Sequence, residues 1–410
     1  MLTLILLSFG KSFFAQLDSI NKYASLFQRD VSIISNAQQL NRFLDALKEL
    51  EANKRKQVTV VHIGDSHVQA GYLTEPTRKG LQQIYGNAGR GLVFPYQAAG
   101  TNGPLDYAFS SAQKFLAKRN CVSKINLPTG VAGHAIHTRL KNTSLDFRFR
   151  DINSNELTSK VTVFHASTAD SNFTYQVVDS LGKVIGRYQN EVSSPHRSVF
   201  ELAENCRKFK LKTIQNEKNQ ISSTIFGVSL ENNNAGIVHH TIGVNGAEFQ
   251  HYLHSPFFFG QLASLKPDLI IVSLGTNEAY NNATFETNDF KAKVDSFLMA
   301  TQLAIPQTSI ILTTPPGIGQ KVRKGKKSKP VYIQNQNVVK VVEAIQAQAL
   351  KNNVSVWDFY EVMGGLNAMN RWAASGLTDA RRIHFSRKGY FIQGTLLFEA
   401  LINEIEHSKN

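Results

Sequence analysis

The chain has 410 residues, a net charge of +14, 42% hydrophobic residues and 19% charged residues. With 26 Phe and 12 Tyr, that composition supplies a large core and excludes a mainly disordered chain. No apolar run approaches the roughly 20 residues of a membrane span, and two cysteines exclude both a disulfide scaffold and a four-cysteine zinc site. At about 150 residues per domain, the length suits two or three domains.

The elements follow in chain order. Residues 1–15 hold an apolar run, Leu2–Leu7, and end in Ala15, a pattern expected of a cleaved secretory signal. A basic start is missing from it, and a buried N-terminal element is the other reading. Residues 37–56 carry Leu40, Phe43, Leu44, Leu47 and Leu50 at helical spacing. Val58–Ile63 reads as a buried strand, followed by Gly64-Asp65-Ser66-His67 and a helix over 72–85. From about 110 to 235 short alternating runs replace the helical period: Leu145–Phe149, Val161–Phe164 and Phe173–Val178. That pattern predicts a β-rich insert of sandwich type. Strands then return at Ile237–Ile242, Leu269–Leu274, Ser309–Thr313 and Val354–Trp357, with helices over 286–303, 335–351 and 387–406. Alternating strands and helices predict a mostly parallel sheet covered on both faces. The expected division is therefore a split α/β domain, 16–109 and 236–410, around an insert at 110–235.

The chemistry-bearing residues cluster after the strands, where open α/β sheets bind ligands. Ser66 follows the first strand, Gly246 lies in Gly-Val-Asn-Gly-Ala, Asn277 lies in Gly-Thr-Asn-Glu, and His384 precedes Phe-Ser-Arg-Lys-Gly-Tyr. A hydroxyl, an imidazole, an amide and glycine N–H groups are the inventory for acyl transfer. Taken singly, Ser66 is equally a turn serine, His384 and Asn277 are helix-start residues, and Gly246 supplies a positive φ.

Four such blocks in the order Ser, Gly, Asn, His resemble the SGNH/GDSL hydrolase superfamily, over roughly residues 56–107 and 237–400. The resemblance implies a flavodoxin-like three-layer fold with a parallel sheet. It implies Ser66 as nucleophile, His384 as base, and the N–H of Ser66, Gly246 and Asn277 as oxyanion donors. Gly-Asp-Ser-His, Gly89-Arg90-Gly91 and the β-rich module further resemble bacterial peptidoglycan O-acetylesterases. That implies a secreted or periplasmic serine esterase acting on an acylated polysaccharide, with no cofactor. A glycan-binding protein with an impaired hydrolase site is the alternative. The family places its acid three residues before the histidine, and that position here is Arg381. The nearest acid is Asp379, five residues before His384. Either Asp379 takes the role through a local insertion, or a carbonyl or another acid orients the ring, or the pair works as a dyad.

Other residues have plainer readings. His134, His137, His239 and His240 lack a ligand set of recognisable spacing, so no metal is expected. Trp357, Tyr360 and Trp372 read as core, with a sugar cleft as the second reading. Arg90 reads as a structural ion pair or a contact to an anionic substrate group. His67 and Gln69 read as packing or rim residues. Lys321–Lys329, with six basic residues, reads as an exposed loop. Cys121 and Cys206 pair only if the fold brings them close. No nucleic-acid signature is present.

Overall fold

The computed structural model describes residues 20–151, 156–166, 171–189, 196–281, 285–323 and 331–409. The signal expected over 1–15 lies outside the described residues.

The framework is a seven-stranded sheet in the order Ile34–Ser35, Ser355–Trp357, Ser309–Thr313, Leu269–Ser273, Gln57–Gly64, Gly236–Gly243, Asn87–Gly89. Every pairing is parallel except that of Ile34–Ser35 with Ser355–Trp357 at one edge. The central strands are apolar on both faces, and their side chains alternate between two cores. Val58, Val60, Leu269, Ile271 and Ile311 pack with Phe43 and Leu47 of Asn41–Glu51 and with Ile392 and Leu396 of Arg387–His407. Val61, Ile63, Ile270, Val272 and Leu312 pack with Phe290 and Phe297 of Thr287–Ala304 and with Val341 and Ile345 of Asn337–Lys351. Each such side chain removed from water contributes about 1.5–3 kcal/mol. This is the three-layer α/β fold expected of the sequence, with helix ends within two or three residues of the periodic runs. The 37–56 helix is shorter: Ala37–Leu40 is a 3-10 turn and the α-helix runs Asn41–Glu51.

The β-rich segment forms two antiparallel sheets. One runs Thr174–Val178, Lys208–Ile214, Ser144–Phe149, Tyr107–Ser110. The other runs Gly186–Gln189, Arg197–Cys206, Thr158–His165, Ser223–Glu231, His134–Thr138, Leu116–Arg119. Gly91–Val93, ahead of residue 110, also pairs with Ser223–Glu231. Phe109, Phe147 and Phe209 of the first sheet and Val163, Phe200 and Phe226 on the second belong to the same apolar cluster as Val61, Ile63 and Ile242 of the central sheet. The segment therefore shares its core with the framework.

Trp357 and Trp372 are fully buried, and Tyr360 nearly so. Their indole N–H groups donate to Ser32 Oγ and to the Leu26 and Met363 carbonyls, so both tryptophans are core residues. Cys121 and Cys206 are free thiols. Lys321 and Val322, expected in a loop, lie on a hairpin strand, Gly319–Val322, paired with Val331–Gln334. The rest of that basic run, 324–330, lies outside the described residues. No helix among the described residues is long and apolar enough to cross a membrane.

Candidate active site

The end of Gln57–Gly64 sets the position of Ser66. Asp65 caps the short helix Ser66–Gln69 by accepting from the His67 N–H at 2.9 Å. Ser66 is the first residue of that helix, so its N–H has no intrahelical acceptor. The helix lies directly on the neighbouring strand end. A Cβ at Gly243 would stand 2.2 Å from the Gln69 nitrogen, and one at Gly64 would meet Val68 at 2.4 Å. Both approaches require glycine. Tyr252 donates to the Gly64 carbonyl at 2.6 Å and anchors the same turn from the other side.

Gly246 has φ of +85°, and the turn it closes is pinned to the nucleophile helix. Gln69 Oε1 accepts from the Asn245 N–H at 2.6 Å, and Gln69 Nε2 donates to the Asn102 carbonyl at 2.7 Å. Gln69, expected at the packing or rim level, is fully buried and ties its own helix to two loops. Arg119 and Cys121, both from the β-rich segment, donate to the Asn245 carbonyl.

Asn277 opens the helix Thr276–Asn281. Its Nδ2 donates to Asp65 Oδ2 at 3.2 Å and to the Ala247 carbonyl at 2.9 Å. Burial pushes the Asp65 carboxyl up to about 7, partly offset by the His67 N–H, its own backbone and the Thr276 hydroxyl. Behind it Glu278 is buried and pushed up to about 8, with one oxygen accepting from the Phe249 N–H at 2.9 Å.

His384 stands opposite Ser66. Its Nε2 lies 2.9 Å from Ser66 Oγ, and its Nδ1 lies 3.5 Å from Asp379 Oδ2. Five residues apart in sequence, Asp379 and His384 are brought together because residues 379–384 form a closed turn. The Asp379 N–H donates to the His384 carbonyl at 2.8 Å, and Thr378 bridges to Phe385 in antiparallel fashion. Arg382 adopts a φ of +58° within the turn. Asp379 and His384 thus face each other across the base of the turn. Burial works to raise the Asp379 carboxyl, but N–H donation from Ile383 and His384, with the His384 ring and Arg381, brings it below its ordinary range. Burial pulls the His384 imidazole below its ordinary value, against the opposing pull of Asp379. Arg381 is 71% exposed and reaches Asp379 Oδ2 at 3.3 Å.

Two supports flank this pair, and the first was not legible in the sequence. The Gly319–Val322/Val331–Gln334 hairpin clasps the acid turn. Gly319 N–H donates to the Arg382 carbonyl at 2.8 Å, Tyr332 O–H donates to the Ala380 carbonyl at 2.9 Å, and the Arg382 guanidinium sits 4.3 Å from the Tyr332 ring centre. His67 packs against His384 with ring centres 5.2 Å apart and bonds Tyr390 O–H through Nδ1 at 3.1 Å. Burial, with a smaller push from His384, brings His67 down to about 3, so it stays neutral.

Ser66, Gly246, Asn277 and His384 line one cleft of about 810 Å³, with Tyr72, Arg119 and Tyr390 among its walls. The backbone N–H groups of Ser66 and Gly246 have no acceptor among the described residues. Arg90 is placed elsewhere, in an ion pair with Asp106. His134, His239 and His240 are buried on strands, and no cluster of three His, Cys, Asp or Glu side chains among the described residues is arranged to hold a metal.

Residues 218–392 match the GDSL-like Lipase/Acylhydrolase family. The matched span holds Gly246, Asn277, Asp379 and His384 and stops short of Ser66, which tertiary structure brings to them. No curated protein matches the chain. Among solved structures, a peptidoglycan O-acetylesterase is 20% identical, over 89% of this chain and 96% of that one, at a TM-score of 0.72. An acetyl xylan esterase is 18% identical over 40% of this chain and 80% of its own, at 0.31. A family two carbohydrate esterase from Cellvibrio japonicus is 11% identical over 73% and 98%, also at 0.31. At 20% identity the first likeness establishes a shared fold.

Proposed function

We propose that this carboxylic ester hydrolase, a GDSL-like acylhydrolase over residues 218–392, is an exported serine esterase that removes O-acetyl groups from a cell-wall polysaccharide. The observation that carries the reading is the 2.9 Å contact between Ser66 Oγ and His384 Nε2 in an open cleft, with Asp379 on the other ring nitrogen. A cleft of about 810 Å³ suits a sugar residue carrying a small acyl group better than it suits a long buried chain. The peptidoglycan O-acetylesterase fold over nearly the whole chain supports peptidoglycan as the polymer.

In this mechanism Ser66 Oγ attacks the ester carbonyl and His384 Nε2 takes its proton. The carbonyl oxygen becomes an oxyanion facing the N–H groups of Ser66 and Gly246. Asn277 Nδ2 is the third donor; its 3.2 Å bond to Asp65 is the longer of its two and the one to yield. Asp379 holds the Nδ1–H tautomer and stabilises the imidazolium. The imidazolium then protonates the sugar oxygen, which leaves, and an acyl-Ser66 ester remains. Water, deprotonated by His384, attacks that ester and releases acetate and Ser66.

The test has two arms. A fluorophosphonate should label Ser66 and abolish p-nitrophenyl acetate hydrolysis, and Ser66→Ala should lack both properties. Labelling elsewhere with activity retained would refute the nucleophile. Acetate release from O-acetylated peptidoglycan should exceed that from acetylated xylan; the reverse order would move the substrate to another glycan.

A further inference from the structure

A second cavity, of about 210 Å³, adjoins the catalytic cleft. Ala70 and Tyr72 line both, so Tyr72 forms a wall between them. The second cavity is rich in cations: Arg78, Lys79, Arg90 and Arg387 all contribute to its lining. Most of this charge is already answered. Arg78 and Arg90 share Asp106, and Arg78 also reaches Glu156 at 2.7 Å. Lys79 pairs with Glu75 at 2.6 Å. Asp151 lines the cavity too and has interactions of its own.

One cation has no acid partner, and a second leaves one of its N–H groups unused. The Arg387 guanidinium has no acid partner among the described residues; it rests over the Tyr72 ring, 5.3 Å from its centre. Arg90, 3% exposed at its side chain, leaves its Nη1 buried with no hydrogen-bond partner among the described residues. An unmatched buried guanidinium N–H is costly, and a carboxylate offers the planar pair of acceptors that matches such a fork. Arg387 lies three residues beyond His384, at the start of the helix Arg387–His407, so its position is tied to the catalytic base.

We infer that this cavity is a carboxylate subsite, in which Arg387, held against Tyr72 and backed by Arg90, binds an acidic group on the glycan whose ester lies at Ser66. The inference rests on the esterase reading and adds to it that the substrate is an acidic glycan, recognised by its charge as well as its ester. Tyr72 separates the two positions, so the carboxylate and the ester occupy adjacent places on the ligand. Asp106 is occupied by two arginines, which keeps it from repelling the incoming anion.

The experiment uses an O-acetylated disaccharide bearing a free carboxylate and its neutral methyl ester, and reads the ratio of kcat/KM for acid over ester. The wild-type ratio should exceed about 10, the factor one charge-assisted hydrogen bond supplies. Arg387→Ala should bring the ratio near one, Arg387→Lys should restore part of it, and 0.5 M salt should lower it in the wild type. A wild-type ratio near one, or an unchanged ratio in Arg387→Ala, would overturn the subsite. Calorimetric binding of the deacetylated pair to Ser66→Ala reports the subsite without turnover. There the acid should bind about tenfold more tightly than its methyl ester, and equal binding overturns the inference. Loss of p-nitrophenyl acetate hydrolysis by the wild type would instead count against the esterase reading.

Discussion

Ser66 and Asp379, the proposed nucleophile and acid, meet the two ring nitrogens of His384 and are held by different means. Ser66 is fixed from beneath, by two strand ends whose glycines allow its helix to approach closely and by bonds from Tyr252 and Gln69. Asp379 is fixed from outside, by a six-residue turn and a surface hairpin that reaches it through Tyr332 and Gly319. The nucleophile side is therefore inseparable from folding. The acid side is an attachment whose precision can be altered while the core stays intact.

That contrast can be broken at several points. The largest effect is expected at the acid: Asp379→Asn should lower kcat by about 10³–10⁴-fold, the scale seen when a serine protease loses this charge, with little change in melting temperature. Its pH profile should shift in a defined direction. The proposed base, His384, must be neutral to act, and its pKa lies below its ordinary 6.5, so the acid limb of the wild type should lie below that value. Asp379 raises that pKa, so the variant's residual activity should extend to still lower pH. A profile unchanged in shape and height would assign the ring's orientation to another group.

Next comes Asn277→Ala. Losing one oxyanion donor should lower kcat by roughly 10²–10³-fold with KM nearly constant, measured by steady-state kinetics on p-nitrophenyl acetate. Full activity would make Asn277 solely the tie between Asp65 and Ala247.

A smaller effect is expected of Tyr332→Phe, which removes the bond to Ala380 and keeps the ring under Arg382. It should lower kcat by about three- to tenfold, a distortion cost of about 1 kcal/mol, and leave thermal stability near that of the wild type. Equal losses in stability and rate would make the hairpin part of the core after all.

The smallest effect on activity belongs to Glu278→Gln, which tests the buried side through stability. In the unfolded chain Glu278 loses its proton near its ordinary 4.5; in the fold it keeps it until about 8. The folded state is therefore penalised as pH rises through that window. Glutamine has no proton to lose, so the melting temperature of the variant relative to the wild type should climb from pH 5 to pH 8. A flat difference would mean that Glu278 ionises in the fold as it does in water.

Legibility in the sequence followed the same division. Leu269–Ser273 and Ser309–Thr313 are short apolar strands between helical runs, so period and length alone reveal them. Ser66, Gly246 and Asn277 lie beside glycines or helix starts just after strands, and His384 lies just ahead of the helix Arg387–His407. The pairing of Asp379 with His384 was left open, because spacing along the chain cannot show that a turn closes between them. The hairpin holding that turn was hidden for a similar reason: a run rich in lysine carries no signal of a tyrosine reaching Ala380. The shared core of the β-rich segment was equally out of sight, since alternation predicts strands but not what their buried faces meet. Residue 110 reads as a boundary in the pattern, yet the sheets begin at Gly91.

The neighbours at the centre of the parallel sheet are far apart in sequence. Gln57 lies opposite Gly236 and Gly64 opposite Gly243, so about 180 residues must be synthesised before the nucleophile's strand meets its partner. Closing so long a loop carries an entropic cost that is recovered only when the strands pair, which slows folding. The antiparallel sheets shorten that search, because Ser223–Glu231 is already paired with Gly91–Val93 and leads directly into Gly236–Gly243. The expected order of assembly runs from the β-rich segment inward, which pulsed hydrogen exchange during refolding would check. Ser66 is then without its His384 partner until the turn at residues 379–384 has been made, so hydrolytic competence should arise only after that turn is synthesised.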